Sequence, residues 1–331
     1  GCALRIFAYP CANNQCTMAI QKKVLLAHLA LFSVALIYAA NYTIAKPVMA
    51  GEHPYLIPFA FVMMRCLVGT ALVWLTHLLF VREPIEWKDL KRLALCGLCG
   101  IAGNQLCFFY GLNLTTPING ALIMLTTPIL VLILSMIVFR ETLTTAKSIG
   151  ITIGLSGAAL LILKQGGSMP DAPNPLLGNL FIMINATFYA VYLILVKPMM
   201  TKYSAFTVLK WVFLFGTIYV LPFGLWPLMS TDMVRIPTPL WWNISYVLIF
   251  VTYLAYVLNG LALSVVKASV LSAYIYLQPL LASAIAVLAG KDQLTWTLGG
   301  GGLLIASGVY LVSNRPAVAA ADKTPSDEGL D

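Results

Sequence analysis

The feature that most constrains this chain is a series of long apolar stretches that recur with little interruption along its length. In lipid, every backbone N–H and C=O must be satisfied within the segment itself, so a stretch of about 20 apolar residues reads as a membrane-spanning helix. Cutting the runs at proline, glycine and charge clusters predicts spans over 24–46, 55–80, 90–112, 117–139, 146–163, 176–197, 205–227, 240–263, 267–289 and 295–312. The expected fold class is therefore an all-α integral membrane protein with ten transmembrane helices. Composition agrees, because 60% of the 331 residues are hydrophobic and 10% charged, against about 25% charged in a soluble domain. Disorder, collagen and a disulfide scaffold are excluded. Of the seven cysteines, Cys2, Cys11 and Cys16 lie in a polar leader and the others within apolar segments, so no disulfide framework follows.

A net charge of +8 would suggest nucleic acid for a soluble protein. Here the basic residues first report topology, since cytoplasmic loops are rich in Lys and Arg. With ten spans, fourteen fall on the side shared by the termini and the loops after helices 2, 4, 6 and 8, among them Lys88, Arg140, Lys147 and Lys197. Four fall on the opposite side, and Arg65 and Lys210 lie within spans. Both termini are expected in the cytoplasm, and the expected location is a bacterial cytoplasmic membrane. Residues 1–17 lack the apolar run of a signal peptide and read as a non-native leader before Met18; 315–331 reads as a disordered tail.

Shifting the chain against itself by 151 residues aligns Tyr38-Ala39 with Tyr189-Ala190, Lys46-Pro47 with Lys197-Pro198 and Met49 with Met200. The same shift aligns Pro128 with Pro279, Glu141 with Asp292, Gly150 with Gly301 and Gly157 with Gly308. One offset that serves both ends of each half indicates duplication. Each half holds five spans, and an odd number forces the second to enter the membrane in the opposite sense. The chain is expected to be two inverted five-helix repeats, 18–163 and 176–314, joined by a linker over 164–175. Inverted repeats with a site at their interface near the midplane are the architecture of many secondary transporters.

The stretches Tyr38-Ala-Ala-Asn-Tyr-Thr, Tyr189-Ala-Val-Tyr, Pro58-Phe-Ala-Phe-Val-Met-Met-Arg65, Asn119 to Pro128 with Arg140-Glu141, and Ser269 to Pro279 stand out. Together they resemble the EamA family of the drug/metabolite transporter (DMT) superfamily. The second half departs from the pattern, with Gly216 where Arg is expected and Asp292 where Glu is usual. The resemblance covers about residues 20–315. It implies a secondary transporter, an exporter or exchanger of small polar metabolites such as amino acids, working by alternating access. The alternatives are an organic-phosphate or nucleotide-sugar exchanger of the same fold, or a channel-like facilitator.

The acidic residues all fall in loops or the tail, which disfavours coupling through an intramembrane carboxylate. Arg65, near the middle of the second span, has two readings: it binds a substrate carboxylate, or it bridges helix carbonyls and holds the halves together. Lys210 lies nearer a membrane face and reads as snorkelling. Mid-span polar residues Asn41, Asn104, Gln105, Asn185, Asn259 and Gln278, with Tyr38, Tyr189, Tyr256 and Tyr274, outline a substrate pocket or act singly as interhelical glue. Pro128 and Pro279, at equivalent depth, read as gating hinges or packing kinks.

Gly299 to Gly302 and Gly150-x-x-x-Gly154 read as close-packing faces, as does Cys96-x-x-Cys99, which lacks a second ligand pair. No metal site and no cofactor are expected. An enzyme is disfavoured, because His28, His53 and His77 have no HExxH context and paired intramembrane acids are absent. The expected partners are the lipid bilayer and a small-molecule substrate, with no nucleic acid.

Overall fold

The computed structural model describes residues 14–44, 48, 55–115, 117–164, 173–288 and 296–313. They form α1 (Asn14–Ile44), α2 (Pro58–Phe80), α3 (Trp87–Leu114), α4 (Pro117–Met124, then Thr127–Phe139) and α5 (Thr145–Lys164). After the linker come α6 (Pro175–Lys202), α7 (Ala205–Met229), α8 (Thr238–Val265), α9 (Ala268–Ala273, a 3-10 turn Tyr274–Tyr276, then Leu277–Leu288) and α10 (Trp296–Ser313). Among the described residues nine helices are long and apolar enough to cross a membrane, and α10 contributes a shorter apolar one, Leu298–Ser313. The chain is thus an all-helical integral membrane protein.

Local chemistry sets the helix ends. Asn174 Oδ1 accepts from Leu177 N–H at 3.2 Å and Ser204 Oγ from Thr207 N–H at 3.2 Å, each satisfying a donor that the first turn leaves open. α1 begins at Asn14, upstream of the expected span, because neither proline nor glycine interrupts Asn14–Ile44. Residues 14–17 of the expected leader therefore belong to this helix. Residues 1–13, Lys46-Pro47, Met49, much of the linker and the tail lie outside the described residues.

The packing obeys an exchange of halves. α1 packs on α8 as α6 packs on α3, α1 on α9 as α6 on α4, and α2 on α8 as α7 on α3. Three further contacts, α2–α7, α4–α9 and α5–α10, pair a helix with its own equivalent. In α5–α10 the helices touch backbone to backbone. A Cβ on Gly150 would lie 2.8 Å from Gly308 O, and one on Gly157 would lie 2.8 Å from Gly301 O. Contacts that run forward along α5 run backward along α10, so equivalent helices are antiparallel and the repeats are inverted. Gly301 and Gly302 pack as expected, but Gly299 and Gly300 meet nothing within 4 Å. They lie on the outer side of α10, which corrects the reading of the whole glycine run as a contact face.

Two elements carry no obvious mark in the sequence. The helix opens into a π turn at Leu98–Gly103 in α3 and at Val247–Leu254 in α8, positions that the 151-residue shift superposes. A π turn widens the backbone and releases carbonyls from their usual partners, and such turns are frequent at functional sites.

Loops gather on two faces. On one, Ser204 N–H donates to Glu83 at 2.9 Å, Lys202 pairs with Glu86 at 2.7 Å and Asp89 at 2.6 Å, and Ser269 Oγ donates to Glu141 at 3.0 Å. These bonds join the α2–α3 connection to α6–α7, and α4–α5 to α8–α9. This is the basic face of the sequence count. Lys202, followed by Lys88, holds the Glu86 carboxyl below its usual range. Asp89 lies in the first turn of α3 and not in a loop. On the other face, Asn174 N–H donates to Leu114 O at 3.2 Å and Thr115 Oγ1 to Asn179 at 2.6 Å.

Candidate functional site

Four tyrosines meet where the halves converge. Tyr38 from α1, Tyr189 and Tyr192 from α6 and Tyr256 from α8 line a cavity with Leu193, Met200, Asn259, Gly260, Leu263 and Leu271. About 10 Å³ of it admits the centre of a water molecule, room for about one water. That space is too small for a metabolite, so admitting one requires the helices to part.

Of the residues selected from sequence, Tyr38, Tyr189, Tyr256 and Asn259 line this space. Arg65 stands beside it, close enough for its charge to act on Tyr38 and Tyr256. Its Nε donates to Thr252 Oγ1 at 2.9 Å, inside the π turn of α8. Among the described residues no ion pair includes Arg65. Tyr256 O–H reaches Gly100 O at 3.4 Å, so a residue two positions after one π turn bonds a carbonyl of the other. Gln105 is 5% exposed, next to Tyr256, and its Oε1 has no hydrogen-bond partner among the described residues.

Other selected residues sit elsewhere. Asn185 Nδ2 donates to the Asn104 carbonyl at 2.6 Å and ties α6 to α3, as interhelical glue would. Asn41 Oδ1 is buried and unpartnered among the described residues. Tyr274 bonds His28 Nδ1 at 2.8 Å through its hydroxyl, joining α9 to α1. Gln278 is half-buried and outside the cavity lining. Pro128 and Pro279 each follow an interruption one turn earlier, at Leu125–Thr126 in α4 and at the 3-10 turn of α9.

Lys210 Nζ lies 3.2 Å from His77 Nε2 and within 5.5 Å of the Trp74 and Trp211 ring centres, so α2 and α7 hold the ammonium between them. Nearby, Thr217 Oγ1 donates to Cys66 O at 3.2 Å and also meets Thr70 Oγ1 at 2.8 Å. A hydroxyl has one proton, so Thr70 is the donor in that pair.

Sequence reasoning missed Tyr192, Thr252 and the destination of Lys197. Tyr192 was within reach, being one helical turn from Tyr189 and the repeat counterpart of Asn41. Thr252 gave no signal, since a lone threonine in an apolar span reads as neutral filling. Lys197 lay at the end of an expected span and was counted with the loops. Its Nζ in fact donates to Leu263 O and to Val266 O, the latter at 2.8 Å.

Residues 25–163 and 176–314 each match the sequence profile described as the EamA-like transporter family. The uncharacterized transporter YetK of Bacillus subtilis (strain 168) is 29% identical over 72% of this chain and 71% of its own length. An uncharacterized transporter of Archaeoglobus fulgidus is 25% identical over 87% and 97%. A protein of Streptantibioticus cattleyicolor named "probable terminal-alkyne amino-acid exporter" is 26% identical over 71% and 76%. One solved crystal structure shares the fold, with a TM-score of 0.70 and 18% identity over 86% of this chain and 96% of the other. Two profile matches, one on each five-helix half, and an inverted packing that relates those halves mean that this chain belongs to the EamA-like transporter family.

Proposed function

We propose that the chain is a secondary transporter that exports or exchanges small polar metabolites bearing a carboxylate, such as amino acids or related compounds, by alternating access. The observation that carries this reading is Arg65. A guanidinium beside a tyrosine-lined cavity, bonded through Nε alone among the described residues and without a carboxylate partner, has its remaining donors available to a planar anion. The aromatic and apolar wall suits the rest of such a substrate. The amino-acid exporter among the relatives supports the same substrate class. An organic-phosphate or nucleotide-sugar substrate would call for several unengaged cations; of the two beside the cavity, Lys197 is bonded to the end of α8, which leaves Arg65. The transport unit comprises 18–163 and 176–314 joined by 164–175. The basic face is cytoplasmic, in a bacterial inner membrane.

The test is uptake into vesicles of matched carboxylate and amide forms of one amino acid, alongside melting of the protein. Arg65→Lys keeps the charge but loses the planar fork. The expected result is a folded protein with carboxylate uptake about ten-fold lower, equivalent to about 1.4 kcal/mol, and amide uptake unchanged. Equal loss of both substrates together with lowered melting would instead assign Arg65 to holding α2 against α8.

A further inference from the structure

Lys197 lies on the face of α6 that lines the cavity, one turn beyond Leu193 and one turn before Met200. Its ammonium bridges to the end of α8, where Leu263 O is one of the last carbonyls of that helix and Val266 O belongs to the capping residue that follows it. Those carbonyls have no partners within the helix and carry the negative end of its dipole, so a cation there is well placed. Leu263 also lines the cavity, so the bond ties α6 to α8 at the cavity wall, on the side of the basic face.

Two details make the bond a reversible one. Among the described residues Lys197 is in no ion pair, so releasing it breaks bonds to neutral carbonyls and leaves no carboxylate stranded. The Glu141 carboxylate is also near enough to act on Lys197. Its Oε2 is held by Lys147 at 2.7 Å and by Ser269 of α9 at 3.0 Å, in a pair whose side chains are 11% and 8% exposed. An ammonium that leaves α8 therefore has a buried anion beside it. The chain turns toward that anion at Arg140, whose φ of 53 is the one left-handed non-glycine among the described residues.

We propose that Lys197 is the gate residue of the basic face: the cavity opens toward that face when the Lys197 ammonium releases the last carbonyls of α8. It is a positioning residue, and the proposal rests on the cavity being the transport site.

The experiment reads accessibility and needs no substrate. Leu193, 1% exposed on the cavity wall and one turn deeper than Lys197 as seen from the basic face, is replaced by cysteine in the full chain after the native cysteines are replaced by serine. A membrane-impermeant maleimide is then applied to intact cells and to inverted vesicles. A Lys88→Cys control, at a side chain 74% exposed on the basic face, identifies which preparation presents that face. With Lys197→Met added, labelling from the basic face should rise about ten-fold while labelling from the other face stays unchanged. Lys197→Arg, which keeps a charged donor, should leave labelling low. Lys197→Gln serves as a second neutral variant should Lys197→Met fail to fold, as judged by gel filtration. An unchanged rate, or an equal rise from both faces, would overturn the proposal, because loosened packing has no side. The carboxylate dependence at Arg65 is measured separately by uptake, so failure of the gate and failure of the substrate reading give different results.

Discussion

Where α2 meets α8, Arg65 donates to Thr252; where α7 meets α3, the positions that the 151-residue shift makes equivalent are Gly216 and Ile101. The backbone does the same thing in both places, since a helix lies against a π turn. The chemistry is opposite. A Cβ on Gly216 would lie 2.7 Å from Ile101 Cβ, and one on Gly97 would lie 2.8 Å from Gly216 N, so α3 and α7 close by steric fit. On the other side a cation takes the space and bonds a hydroxyl that is itself 0% exposed. Ile101 is equally buried. Duplication gave the two halves one scaffold, and divergence at two positions left a cation on one side only. A fully symmetric pair of arginines would place two like charges near one cavity, which Coulomb repulsion opposes in a medium of low dielectric.

The strongest attack on this comparison is Gly216→Arg, which restores the missing equivalent. The side chain meets Ile101 and has no Thr252-like acceptor opposite it, so overpacking and an unpaired buried cation together should cost about 3–5 kcal/mol or more. The measurement is recovery of folded protein by gel filtration and melting; a stable, active Gly216→Arg chain would show that the close approach of α3 and α7 is not required.

Ile101→Thr copies the hydroxyl without the cation. It trims a filled contact and should cost about 1–2 kcal/mol, read as a lower melting temperature with substrate selectivity unchanged. A change in selectivity would mean that the α3–α7 side also faces the substrate.

Thr252→Val keeps the shape and removes the acceptor for Arg65. Interhelical hydrogen bonds in membranes average about 0.6 kcal/mol, so stability should barely move. The freed guanidinium should bind carboxylates with altered affinity, and uptake of carboxylate and amide substrates would separate that effect from a general loss. No change in either would place Arg65 outside the transport path.

The smallest effect is expected outside the membrane. Glu86 has its pKa depressed by Lys202 and Lys88, so its stabilising contribution is present above its unfolded pKa of about 4.3 and fades as pH falls through its lower folded value. Glu86→Gln should remove that small pH dependence of melting and leave the Arg65 measurements untouched. Any influence of Glu86→Gln on carboxylate selectivity would break the separation between the surface ion pairs and the central cation.

Four of the residues that line the cavity stand out in the sequence for a limited reason. Tyr38, Tyr189, Tyr256 and Asn259 are polar or aromatic in apolar surroundings, and one face of each helix gathers such residues wherever a cavity forms. Asn185 carried the same signal and turned out to bond a backbone carbonyl, because an amide in a span must find a partner and the partner need not be a substrate. Lys197 was misplaced for the opposite reason. A lysine near a span end is free to reach solvent by length alone, and here the carbonyls at the end of α8 hold it back.

The sequence by itself determined the number of apolar stretches, the duplication and, through an odd count of spans in each half, the inversion. These follow from hydropathy and order along the chain, each a property of single residues or of spacing. Tertiary structure decided the two π turns, the bond between Arg65 and Thr252 and the crossing of Lys197 to α8. Arg65 and Thr252 are 187 positions apart, and whether they meet depends on how closely two antiparallel halves approach. That distance is set by glycines packed against backbone, and spacing along one strand of sequence does not record it.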